Sequence, residues 1–89
     1  MTVTQQTALA YDEDLDAKGL NCPLPVLRTK VVLNRMKPGQ VLRVEATDPH
    51  AIIDFEAYCA RTGHELLRTN QSDGVIEFFI RRTYKPRKV

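Results

Sequence analysis

Cys22-Pro23-Leu24-Pro25-Val26-Leu27-Arg28-Thr29-Lys30-Val31-Val32-Leu33-Asn34-Arg35-Met36-Lys37-Pro38-Gly39 is the stretch on which the fold turns. From residue 23 to about 37 it reads as a helix. Val26, Thr29, Leu33 and Met36 fall at i, i+3, i+7 and i+10, with Val32 beside them, and form one buried face. Leu24, Leu27 and Val31 make a second apolar stripe. A helix on a two-layer domain needs only one buried face, so one stripe is left for the surface. Pro38-Gly39 ends the helix. At its start, two prolines stiffen the first turn, where a missing N–H costs nothing and a fixed φ already suits a helix. Cys22 stands just before that turn. The positive end of a helix dipole favours thiolate, the reactive form of cysteine. Lys18 and Lys30 are candidates for further charge support. Cys22 is therefore expected to be an exposed sulfur nucleophile.

Working outward, Asp12-Glu13-Asp14 leads into Leu15-Asp16-Ala17, a short first strand. After the helix, Val41 to Ala46 alternates, with Leu42, Val44 and Ala46 on one face and Val41, Arg43 and Glu45 on the other. Asp48 and Pro49 have the residue types of a helix cap and first helical position. Ile52, Phe55 and Cys59 give that second helix its core stripe, and Gly63 suits its C′ position. Glu65 to Asn70 reads as a third strand, Ser72-Asp73-Gly74 as a hairpin turn, and 75–82 as a fourth strand with Ile76, Phe78 and Ile80 inward. The order is βαβαββ. It predicts a two-layer α/β sandwich with a four-stranded mixed sheet and both helices on one face.

The 89 residues make one small domain, expected over 12–82, with a loose N-terminal arm at 1–11 and a basic tail at 83–89. Residues 81–89 carry five basic side chains and no acid. Taking those five from the thirteen in the chain leaves eight bases against eleven acids in the body, a net of −3. An acidic body with one tail tyrosine argues against nucleic acid as the main partner. Nothing approaches the roughly 18 consecutive apolar residues of a membrane span. The first ten residues lack the charge and apolar core of a secretory signal, so cytoplasm is the expected location.

Two cysteines are too few for a disulfide scaffold. Cys59 shares the core stripe of the second helix and reads as a small buried hydrophobe. His50 and His64 read as a surface residue and a structural one. The spacing of Cys22, His50, Cys59 and His64 matches no common zinc pattern, so neither metal nor cofactor is expected. No phosphate loop, Ser-His-Asp set or paired carboxylates are visible. Asp48 is most simply a helix cap, or else a carboxylate in the loop beside the cysteine.

With these motifs in place, the chain resembles the TusA (SirA-like) family of small sulfur carriers over residues 15–81. The signature Asp-x-x-Gly-Leu-x-Cys-Pro-x-Pro stands here as Asp16-Ala17-Lys18-Gly19-Leu20-Asn21-Cys22-Pro23-Leu24-Pro25. Pro38-Gly39, Asp48-Pro49 and Gly63-His64-Glu65-Leu66 also fit, whereas residues 82–89 fall outside the family pattern. The resemblance implies that Cys22 carries sulfane sulfur as a persulfide, that Pro23 and Pro25 shape its mount, and that Asp48 lies in the neighbouring loop. Lys30 falls at a basic position of the first helix. A cysteine desulfurase or rhodanese would be the donor and another sulfur-relay protein the acceptor, serving tRNA thiolation or dissimilatory sulfur metabolism. Such a protein is a co-substrate more than a stand-alone enzyme. Leu20, Leu24 and Leu27 would then form its docking surface. Competing readings are a thiol switch with Cys59 as resolving cysteine, and an RNA-binding module using the basic tail.

Overall fold

The computed structural model describes residues 9–88. Its elements are β1 (Glu13–Ala17), α1 (Leu24–Arg35), β2 (Val41–Ala46), α2 (Ala51–Thr62), β3 (Glu65–Ser72) and β4 (Val75–Arg81). The strands form one sheet in the order β1-β2-β4-β3, with β1 parallel to β2 and the other neighbours antiparallel. This is the expected βαβαββ sandwich.

Alternation fixes which face is buried. Leu42, Val44 and Ala46 of β2 lie opposite Ile80, Phe78 and Ile76 of β4 and point together toward the helices. They share one core with Val32, Leu33 and Met36 of the first helical segment and Ala51, Phe55 and Cys59 of α2. Phe55 and Phe78 stack across it with ring centroids 4.2 Å apart. Both helices therefore cover the same sheet face. Gly63 ends α2 at φ 91°, where its N–H donates to the Cys59 carbonyl, and Asp73-Gly74 supplies the two positive φ angles of a tight hairpin.

Two details of the helix starts differ from expectation. Pro23 occupies the cap of α1, and Pro25, at the second helical position, is fully buried, so it is core as well as mount. Asp48 does not cap α2 directly. It closes the turn before it, its carboxylate accepting from His50 N–H and its carbonyl from Ala51 N–H. Pro49 favours that turn equally well, which delays the helix by two residues.

The open sheet face closes on itself. Arg43 donates to Asp14, Glu45 and Glu77, and these carboxylates raise its already high pKa. Phe79, also on this face, is only 2% exposed. Tyr11 lies across it with centroids 6.2 Å apart and also beneath the Arg43 guanidinium. Of the expected arm, residues 1–8 lie outside the described residues, while Asp12 is tied to Val41 by a backbone and a side-chain bond. The basic segment is docked. Arg82 donates to the Leu33 carbonyl, and Arg87 to the carbonyls of Ala60, Arg61 and Thr62.

Candidate functional site

Parallel pairing of β1 with β2 brings both strand-to-helix loops to one end of the sheet. There the Gly19 N–H donates to Thr47 Oγ1 at 2.9 Å, and the Cys22 N–H to Asp48 Oδ2 at 2.7 Å. The two loops are thus sewn together through side chains of the second. Asp48 holds both Cys22 and His50 by their backbones, and these two donors lower its pKa, Cys22 the more. The carboxylate beside the cysteine is a positioning group.

Cys22 is exposed, and its peptide bond to Pro23 is cis. The Asp54 carboxylate, from the first turn of α2, lies within 4.8 Å of its thiol. Asp54 as an acceptor first, then partial desolvation and the charges of Asp54 and Asp48, raise the thiol pKa. The helix start was expected to lower it, and three observations explain the reversal. Pro23 and Pro25 carry no N–H, so the very residues that stiffen the mount remove donors a thiolate would need. Lys18 is engaged with Asp16 and Glu45 at 3.0 and 3.1 Å. Lys30 lies about two helical turns along α1 and lines a separate 360 Å³ cavity with Asn34, Tyr58, Thr62 and residues of the basic segment. These surroundings favour the thiol over the thiolate.

The second stripe of α1 is on the surface. Leu24, Leu27 and Val31 are 42%, 50% and 61% exposed, and Ile53 adds an exposed apolar side chain on α2. Leu20, grouped with the first two in the sequence reading, is half-buried and packs against the core. Between the helices runs a shallow groove of about 250 Å³ lined by Pro23, Val26, Asp54, Ala57, Tyr58 and Arg61. It ends near the thiol and encloses nothing.

Cys59 is 5% exposed, and burial pushes its thiol up to about 11. His64 is buried with Nδ1 accepting from the Thr83 N–H at 3.0 Å. Sequence reading missed Asp54 and set His50 aside as surface. Their signal was positional: they stand four residues apart at the start of the helix that follows a strand parallel to β1, and loops after parallel neighbours share a sheet edge.

Fold and site together define a class, a two-layer α/β domain that presents one unhindered thiol at a proline-stiffened helix start. Comparison with known proteins gives the lineage. The family model described as "Sulfurtransferase TusA" matches residues 13–82. The sulfur carrier protein TusA of Allochromatium vinosum is 49% identical over 73 residues, 82% of this chain and 96% of the relative. A putative sulfur carrier protein of Neisseria meningitidis serogroup A is 52% identical over 68 residues, 76% of this chain and 92% of the relative. The crystal structure of a SirA-like protein from Desulfitobacterium hafniense superposes with a TM-score of 0.72 at 27% identity, covering 81% of this chain and 99% of that one. The chain belongs to the TusA family.

Proposed function

We propose that this protein is a sulfur carrier that accepts sulfane sulfur on Cys22 and passes it to an acceptor protein. The observation that carries the reading is an exposed thiol bordered by an exposed apolar stripe and a shallow, open groove. A group that must fit two different active sites in turn needs an open approach and a landing surface.

The exchange balances without an added oxidant or reductant. Cys22 gives up its thiol proton to solvent as the donor docks. The thiolate attacks the outer sulfur of the donor's persulfide, the donor's S–S bond breaks, and the donor thiolate leaves. Cys22–S–SH then meets an acceptor thiolate, which takes the outer sulfur and returns Cys22 as thiolate to be reprotonated. Because the Asp54 and Asp48 charges disfavour the thiolate, a donor with a cationic rim would both dock on this end and release the thiolate. Discharge between partners is thereby discouraged. The matching donor is a cysteine desulfurase or a rhodanese, the acceptor a further sulfur-relay protein, and the outlet tRNA thiolation or sulfur oxidation. The sulfur carriers named among the relatives support this reading.

The alternatives fare worse on particular residues. A buried Cys59 held protonated by its surroundings is a poor resolving nucleophile. Of the five bases at 81–89, Arg82 and Arg87 are laid on backbone carbonyls and Arg81 pairs with Glu65, which leaves Lys85 and Lys88 to meet nucleic acid.

The test is intact-mass measurement after incubation with a cysteine desulfurase or a rhodanese and its sulfur source. The expected result is an added mass of one sulfur, removed by reductant, absent in Cys22→Ser and kept in Cys59→Ser. Absence of the adduct with both donor classes, or its persistence in Cys22→Ser, would overturn the proposal.

A further inference from the structure

Cys22, His50 and Asp54 bring one sulfur, one imidazole nitrogen and one carboxylate oxygen to within 4.8 Å of one another. Sulfur exchange uses the thiol. It has no use for the imidazole. We propose that the three side chains form a site for a borderline-soft divalent cation of the zinc class, with the remaining coordination position open to solvent.

The donor set comes first. Thiolate, imidazole and carboxylate are the three side-chain ligand types of zinc, and three protein ligands with one open position is a common arrangement for an accessible ion. Distances come next. With metal–sulfur bonds of about 2.3 Å and metal–nitrogen or –oxygen bonds of about 2.0 Å, tetrahedral ligand atoms stand roughly 3.3–3.6 Å apart. Closing the triad therefore takes on the order of an ångström, within reach of χ rotation by the exposed Cys22 and His50.

The backbone supplies an independent reason. One carboxylate, Asp48, accepts from Cys22 N–H through Oδ2 and from His50 N–H through Oδ1. It thus locks the main chain of two ligands from different loops into one frame, the job of an outer shell around a metal. His50 and Asp54, four residues apart, face the same side of the α2 start. Charge agrees. Asp54 lies within 4.8 Å of the sulfur, Asp48 is bonded to the Cys22 N–H, and Lys18 of the neighbouring loop is held by Asp16 and Glu45. Two carboxylates beside the site favour a cation, and a cation at the centre would turn the thiol into a bound thiolate.

Under the carrier reading, on which this consequence rests, ion and cargo compete for the same Sγ, and the bound ion masks the thiol. The ion site itself does not need that reading, so it is tested by binding alone. Reduced protein is titrated with Co²⁺ without oxygen, in the Cys59→Ser background to leave one thiol. The expected result is a thiolate-to-cobalt charge-transfer band with the visible bands of a tetrahedral site, both displaced by Zn²⁺. Cys22→Ser should abolish the charge-transfer band. His50→Ala and Asp54→Asn should each weaken binding by about tenfold or more, since losing a ligand costs at least what losing its supporting partner does. No charge-transfer band, or one of unchanged affinity in both variants, would overturn the site. Sulfur loading followed separately by mass can succeed or fail whatever the cobalt titration shows.

Discussion

At the end of the sheet where both helices begin, two acids, Asp48 and Asp54, border the helix starts. At the end where both helices finish, two bases, Arg82 and Arg87, are laid on the carbonyls of Leu33, Ala60 and Arg61. Both choices suit the helix dipoles. They differ in what else they touch. The bases meet backbone acceptors, with no conflict between the two, and the segment acts as a clamp. The acids meet a thiol, and there the requirements conflict, because a carboxylate that favours a helix start opposes a thiolate. A cysteine at the positive end of a helix is not activated by position alone. Which groups stand around it decides.

Four measurements test this contrast between the two ends of the sheet. The largest effect is expected from deleting residues 83–89, which removes the Arg87 bonds to α2 and the Thr83 N–H that caps His64. Hydrogen bonds from a charged donor, discounted for exposure, make this a loss of about 2 kcal/mol in urea unfolding, while Cys22 should still load sulfur. Unchanged stability would show that the segment is no clamp.

Next in size, Leu27→Asp puts a charge on the exposed stripe. Stability should stay within about 0.5 kcal/mol, but sulfur uptake from a donor protein should slow by about tenfold, the loss of one central contact. A small-molecule persulfide should react as before. Equal rates with the protein donor would remove the docking surface.

Asp54→Asn sharpens the electrostatic half. Without the acceptor charge, the Cys22 thiol ionises more readily, so alkylation by iodoacetamide at neutral pH should quicken by a few-fold. A slower reaction would mean that Asp54 activates the sulfur.

The smallest effect concerns His64. Burial, and then the Arg82 charge, hold its pKa below the ordinary 6.5. The unfolded chain therefore takes up the proton first as pH falls. This contribution to stability is complete above about 6.5 and is lost as pH drops from there through the lower folded value. Protonation would also spoil the bond in which Nδ1 accepts from Thr83. Unfolding midpoints measured down from pH 7 should show an acid slope that His64→Gln flattens. A slope that survives in His64→Gln would assign it to the carboxylates.

Much of this was legible from residue order. The 3.6-residue stripes of α1 separated Thr29, Leu33 and Met36 from Leu24, Leu27 and Val31, and the structure buries the first set and exposes the second. Alternation in β2 and β4 identified the inward residues. Phe79 escaped that reading because its cover, Tyr11, comes from the far end of the chain. Leu20 escaped it because a single loop residue has no period.

Residue order alone settles whatever depends on near neighbours: the order of elements, the buried faces, the stiffened helix start and the cysteine before it. Periodicity, capping and fixed φ angles are local, and they act over a few residues. The surroundings of that cysteine are set by the folded chain. Its partners Asp48 and Asp54 lie 26 and 32 positions away, and Lys18, four positions away, is turned to other carboxylates. Electrostatic interaction falls with distance through space, not along the chain. The parallel pairing of β1 with β2 sets those distances.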